Sequence, residues 1–185
     1  MYCEEVVNST WVKIRWGGKT QTYAYIQSQY LADGGTAASG KMGRAIDIGN
    51  SMADTGYPFE SNIGNLDLDA TQWCVQYLSW LMKASGCSSY PNFNTQAKVS
   101  DAISFFGTSF GRRTDGIIPT EGDWVMYSKS GETYAHVGLI VKKDGNLLTT
   151  VEGNLSSTIK KVKDYNYNVG TGNFTVYGFA TPSWS

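Results

Sequence analysis

The sequence predicts an α+β fold in which helices come first and an antiparallel sheet follows. Three observations carry this expectation. Apolar residues recur at helical spacing between residues 41 and 106, and beyond Gly111 the chain breaks into short β-like runs. Gly, Asp and Asn separate those runs at turn positions, as in a meandering sheet. A chain of 185 residues can bury one substantial core and carry an appendage. With 41% apolar and 17% charged residues it is globular rather than disordered, and the 14% aromatic share and 21 glycines favour strands and tight turns.

Taken in order, residues 11–26, "WVKIRWGGKTQTYAYI", read as a β-hairpin. Val12, Ile14 and Trp16 alternate, Gly17 and Gly18 turn the chain, and Tyr23 and Tyr25 resume the alternation. The small, polar "ADGGTAASG" at 32–40 has a linker's composition. The expected organisation is therefore an N-terminal hairpin extension and Gly-rich linker over 1–40, then the main domain over 41–185.

A first helix is expected from about Lys41 to Thr55. Met42, Ala45, Ile46, Met52 and Ala53 form its stripe, and Gly56 and Pro58 stop it. The stripe is imperfect, because Gly49 falls on it and Ile48 lies off it. A second helix spans about Ala70 to Gly86, with Cys74, Leu78 and Leu81 on one side, flanked by Val75, Tyr77 and Met82. A third runs from about Thr95 to Phe106, with Val99, Ile103 and Phe106 at helical spacing. The strands then read "GDWVMYS", "AHVGLIV", "NLLTTVEGN", "TIKKVKDY" and "VYGFATP".

Several function classes drop out. A formal net charge of −1 offers no basic field for nucleic acid or an anionic membrane, and "IKKVKD" reads as a solvated strand face. No stretch approaches the roughly 18 apolar residues of a membrane span, so no membrane insertion is expected. The start, "MYCEEVVNST", lacks the regions of a signal peptide, so an exported chain needs its signal removed beforehand or another way out of the cell. Three cysteines make no disulfide framework and no zinc spacing. Cys3 and Cys87 can pair and leave Cys74 free, which sequence does not decide. His136 is the single histidine, so acid–base chemistry near neutral pH falls to it.

The hairpin through "KKDGN" brings the chemistry together. A register that sets His136 opposite Glu152 puts an imidazole and a carboxylate within hydrogen-bond reach, and a register one residue off sets it opposite Gly153, between Glu152 and Asn154. Asn154 follows Glu152 at i+2, on the same strand face. Cys74 stands in the first turn of its helix, where the helix dipole and free backbone N–H groups favour a thiolate. A helix carrying a nucleophile against a sheet carrying a base and its orienter is the papain-like solution to acyl transfer. Each residue alone has an ordinary reading. A buried Cys is usually a small hydrophobe, a single His on a strand is usually packing, and "EGN" is a common approach to a turn. Their order on the expected elements favours the catalytic reading.

The ordered set "TQWCVQYLSWLMKASG", "GDWVMYS", "YAHVGLIV", "VEGN" and "VYGFATP" resembles the CHAP domain, the cysteine, histidine-dependent amidohydrolase/peptidase family of bacterial and phage cell-wall hydrolases, over roughly 41–183. The resemblance implies a papain-like (CHAP/NlpC-type) fold, with N-terminal helices packed on a C-terminal antiparallel β-sheet. It implies Cys74 as nucleophile, His136 as general base, Glu152 as the residue that orients the imidazole, and Asn154 as a further polar member. NlpC-type peptidases usually orient with a second histidine, which this chain lacks. The backbone N–H of Cys74 would hold the oxyanion, with Gln72 as a second donor or simply a surface residue at the helix start. Trp73 and Trp80 read as core packing, with the edge of a cleft a second role for Trp73.

The implied activity is hydrolysis of a peptidoglycan amide, as an N-acetylmuramoyl-L-alanine amidase or a peptide endopeptidase. The expected partner is bacterial peptidoglycan, the expected state a monomer, and the expected location extracellular or in the cell envelope. No cofactor is required. Some related domains bind calcium just ahead of the cysteine, and Asn65, Asp67 and Asp69 alternate as calcium ligands do. Thr71 and Gln76 stand where stronger ligands would be expected, so an Asp-rich helix start that caps the N-terminus is favoured over calcium. Specificity is expected in the loops 56–70 and 107–121. The alternatives are a cysteine hydrolase acting on an amide outside the wall, such as an effector, and an inactive binding module that keeps the fold.

Overall fold

The computed structural model describes residues 40–55, 73–91 and 98–185 in full, and of the N-terminal region the backbone of three strands. Those strands, β1 (Tyr2–Val6), β2 (Trp11–Trp16) and β3 (Thr22–Gln27), form an antiparallel sheet in the order β1-β2-β3. The expected hairpin is β2–β3, with Trp11 opposite Gln27 and Trp16 opposite Thr22. The third strand, β1, pairs on its other edge and went unread in "MYCEEVV" because two glutamates interrupt the apolar alternation. The Gly17-Gly18 turn and the linker at 32–39 lie outside the described residues.

Three helices follow: α1 (Gly40–Met52), α2 (Cys74–Ala84) and α3 (Val99–Phe106). Gly49 lies on the inner face of α1 because that face meets α2 and the sheet closely. A Cβ there would sit 3.5 Å from both Leu81 and Val151. Ile48, off the stripe, packs against the margin of the same core. The third helix starts at Val99 rather than Thr95. Lys98 is extended, and its N–H donates to Asp101 Oδ2 at 2.9 Å, which caps the first turn.

The C-terminal half forms a six-stranded antiparallel sheet ordered β4-β9-β5-β6-β7-β8. Its strands are β4 (Phe110–Arg112), β5 (Trp124–Lys129), β6 (Glu132–Asp144), β7 (Leu147–Leu155), β8 (Thr158–Asn166) and β9 (Thr175–Ala180). Five of the six match the β-like runs in the sequence. The short β4 is the addition, paired to β9 from Phe110 opposite Ala180 to Arg112 opposite Gly178. This is the α+β arrangement expected.

Alternation along the strands splits the core between two faces. On one, Val137, Leu139, Val151 and Trp124 pack with Val75, Leu78, Leu81 and Met82 of α2. On the other, Val125, Ile140, Leu148 and Phe179 pack with Tyr127, Tyr165 and Tyr167. At about 25 cal/mol per Å² of apolar surface removed from water, these two layers supply the main driving force. Two contacts seat α2. Gly49 admits Leu81, and Gly153 lets the β7 backbone close on Tyr77, where an added Cβ would lie 2.6 Å from Tyr77 Cβ. Trp73 and Tyr77 meet edge to face at 6.4 Å. Trp73 is buried, which answers the choice between core and cleft in favour of core, and Trp80 packs on the core's edge.

Candidate active site

Cys74 is the first residue of α2 and is buried, with 7% of its surface exposed. The first N–H groups of a helix have no acceptor within it, so the sulfur sits where positive partial charge collects. Cys87 is also a buried free thiol, 3.7 Å from Ser85 Oγ at the C-terminal end of α2. The Cys3 side chain lies outside the described residues.

His136 and Glu152 come together on the β6–β7 hairpin, in a register different from both expectations. The turn is the two-residue Gly145-Asn146, so Asp144 pairs with Leu147, and a bulge at Val141 then shifts the ladder by one. Beyond the bulge Leu139 pairs with Val151. Continued outward, that register sets Glu152 opposite Gly138 and His136 opposite Asn154. Histidine and glutamate are therefore diagonal neighbours. Glu152 reaches its partner across Gly138, where an added Cβ would lie 2.8 Å from Glu152 Cγ and 3.1 Å from Oε1. His136 Nε2 and Glu152 Oε2 are 3.0 Å apart, and both side chains are almost fully buried.

The carboxylate is held at both oxygens. Tyr127 Oη donates to Glu152 Oε1 at 2.8 Å, and Thr150 Oγ1 donates to the same oxygen at 2.6 Å. Tyr165 Oη lies 2.6 Å from Tyr127 Oη, and since Tyr127 spends its only proton on Glu152, Tyr165 is the donor of that pair. Oε1 is thus held by two hydroxyls and Oε2 faces the imidazole. Such donors offset the cost of a carboxylate taken out of water. The rings of Tyr127 and Phe174 stack against His136 at 5.9 and 5.3 Å.

The electrostatics follow from this packing. Burial of the His136 ring favours its neutral form. Hydrogen bonds to Cys74 and Glu152, with the negative charge at both, outweigh it and push the pKa from 6.5 up to about 10. With Nε2 on Glu152, the bond to Cys74 falls to Nδ1. His136 is then an imidazolium bridging a sulfur and a carboxylate at neutral pH. Burial, then the charge of Glu152, also raises the Tyr127 hydroxyl well above its ordinary range, so it remains a donor.

Of the residues singled out from sequence, the fold gathers Cys74, His136 and Glu152. Asn154 lies on the same strand, half-buried, in a left-handed conformation (φ 59°) that Asn tolerates. The β7–β8 register shifts between Glu152 and Leu155, so the simple i+2 shared face stops there. Gln72, Asn65, Asp67 and Asp69 lie outside the described residues. Gln76, weighed as a calcium-loop position, is buried within α2. No group of three His, Cys, Asp or Glu gathers as a metal site among the described residues, and no helix there is long and apolar enough to cross a membrane. Sequence reading missed Tyr127, Thr150, Tyr165 and Phe174. Only Thr150 had a legible signal, its i−2 spacing from Glu152 on one strand.

No curated protein matches the chain. The family model of the CHAP domain matches residues 67–154, a span shorter than the resemblance from motifs but one that contains Cys74, His136, Glu152 and Asn154. The match bears out the resemblance to the CHAP domain, a family of amidase and peptidase hydrolases that typically act on peptidoglycan.

Proposed function

We propose that this chain hydrolyses an amide bond of bacterial peptidoglycan through a thioester on Cys74. The observation that carries the reading is the His136 ring engaged on one side by Cys74 and on the other by a Glu152 that two hydroxyls hold in place. A helix bearing the nucleophile against a strand bearing the imidazole supports a papain-like arrangement, with 41–185 as the catalytic unit and 1–40 as an extension.

In the first step Cys74 Sγ attacks the amide carbonyl carbon, a C–S bond forms, and charge moves onto the carbonyl oxygen. The Cys74 backbone N–H, with Gln72 as a second donor, stabilises that oxygen. His136 gives its proton to the nitrogen, the C–N bond breaks, and the amine leaves with a thioester behind it. Neutral His136 then takes a proton from water, whose oxygen attacks the thioester carbonyl, and the C–S bond breaks to release the acid. Glu152 keeps the ring in one orientation and stabilises its charge, and Asn154 completes the polar rim. No step requires a cofactor.

The enzyme would work as a monomer on the wall, outside the cell or in its envelope. Purified walls of several chemotypes, followed by turbidity and by mass analysis of the fragments, test the reading. Release of fragments by the wild type and none by Cys74→Ala is expected. Unchanged lysis by Cys74→Ala would sink the mechanism, and no lysis of any wall would favour an amide outside the wall.

A further inference from the structure

At the strand ends beside His136 lies a cationic and aromatic surface that the chemical step does not use. Arg112 is exposed, with its guanidinium 5.6 Å over the ring of Tyr177. Tyr177 is stacked on Phe110 at 6.0 Å and 15°. Tyr134, also exposed, meets Tyr177 edge-on at 5.2 Å and 90°.

The strand order ties this surface to the site. Tyr134 precedes His136 by two residues on β6. His136 pairs with Tyr127 on β5, Tyr127 pairs with Val176 on β9, and Tyr177 follows as the extra residue of a β-bulge. Arg112 ends β4 opposite Gly178 of β9. Neighbouring strands are about 4.8 Å apart, so the three steps from β6 to β4 cover about 14 Å, roughly four residues of an extended peptide.

The ion pairs among the described residues are Lys129–Glu132, His136–Glu152 and Lys160–Asp54, and none involves Arg112. Asp115 accepts the backbone N–H of Arg112 at 3.1 Å, and Arg113, not Arg112, ties this segment to β9 through Val176 O at 3.2 Å. An exposed guanidinium braced on a ring suits a carboxylate, which it can grip with two parallel hydrogen bonds. The ring faces offer small apolar side chains a surface to lie on.

We propose that Arg112, Tyr177 and Tyr134 form a substrate subsite that binds a free carboxylate of the wall peptide about four residues from the scissile amide. The assignment rests on the wall-hydrolase reading and names the part of the substrate that the enzyme selects. Amidated stems would be poor ligands, and Arg112 would set that preference.

The test uses the full chain carrying Cys74→Ala, so that the ligand is not consumed. The probes are muramidase-solubilised fragments of a wall that the wild type digests, and the same fragments with their carboxylates converted to amides by carbodiimide and ammonia. Amidation is expected to weaken binding about tenfold. Adding Arg112→Met should cost the same factor and abolish the difference between probes, and Arg112→Lys should keep part of it. Equal binding of both probes, or a preference that survives Arg112→Met, overturns the subsite while wall digestion by the wild type leaves the hydrolase reading standing. If the wild type digests no wall, that reading fails and the subsite falls with it.

Discussion

Gly138 and Glu152 lie against each other across the β6–β7 hairpin, and the side chain that Gly138 lacks is the space the glutamate occupies on its way to His136. A residue with no chemistry of its own thus governs the geometry of the pair. Gly138→Ala should displace the carboxylate, since its Cβ would fall 2.8 Å from Glu152 Cγ. We expect wall hydrolysis to fall at least about a hundredfold, with stability reduced by about 1–3 kcal/mol. Zymography with a parallel urea melt checks both, and activity within twofold of wild type would overturn the account.

The protonation of His136 can be read directly, because it is the only histidine. Its ring proton signal should titrate near pH 10 in the wild type. In Glu152→Gln, which removes one anion and keeps the shape, the midpoint should fall by at least one pH unit. An NMR titration decides this, and a midpoint near 6.5 in the wild type would contradict the imidazolium assignment.

Stability should carry the same signature. The folded pKa of His136 lies above its unfolded value of 6.5. Its contribution is therefore fully present below about pH 6.5 and is lost as pH rises through about 10. Denaturant melts between pH 6 and 10 should show that decline. In Glu152→Gln the decline should be shallower. A wild-type stability that rises over this window would be the wrong sign.

Tyr127→Phe keeps the ring against His136 and removes the hydroxyl that holds Glu152 Oε1. Losing that bond should cost about 1–3 kcal/mol of stability. The turnover rate should drop roughly tenfold with little change in the substrate concentration at half-maximal rate, as for a residue that acts through Glu152 rather than on the substrate. A purely structural tyrosine would leave the rate of the folded fraction and the His136 titration unchanged.

Much of this could be read from the chain alone. The helical stripes, the five principal strands and the order Cys74, His136, Glu152 were legible because periodicity and turn residues act locally. A cysteine at a helix start is likewise a local fact. The register of the hairpin was not legible. It depends on a two-residue turn at Gly145-Asn146 and a bulge at Val141, and a one-residue slip changes every partner. The hydroxyls that hold Glu152 were out of reach for the same reason, since Tyr127 and Tyr165 come from strands β5 and β8 on either side of the β6–β7 hairpin. Sequence alone named the chemical groups. Tertiary structure decided that the histidine and glutamate meet diagonally over a glycine, because only packed strands set which side chains share a face, how far apart they lie, and what else donates to the same oxygen.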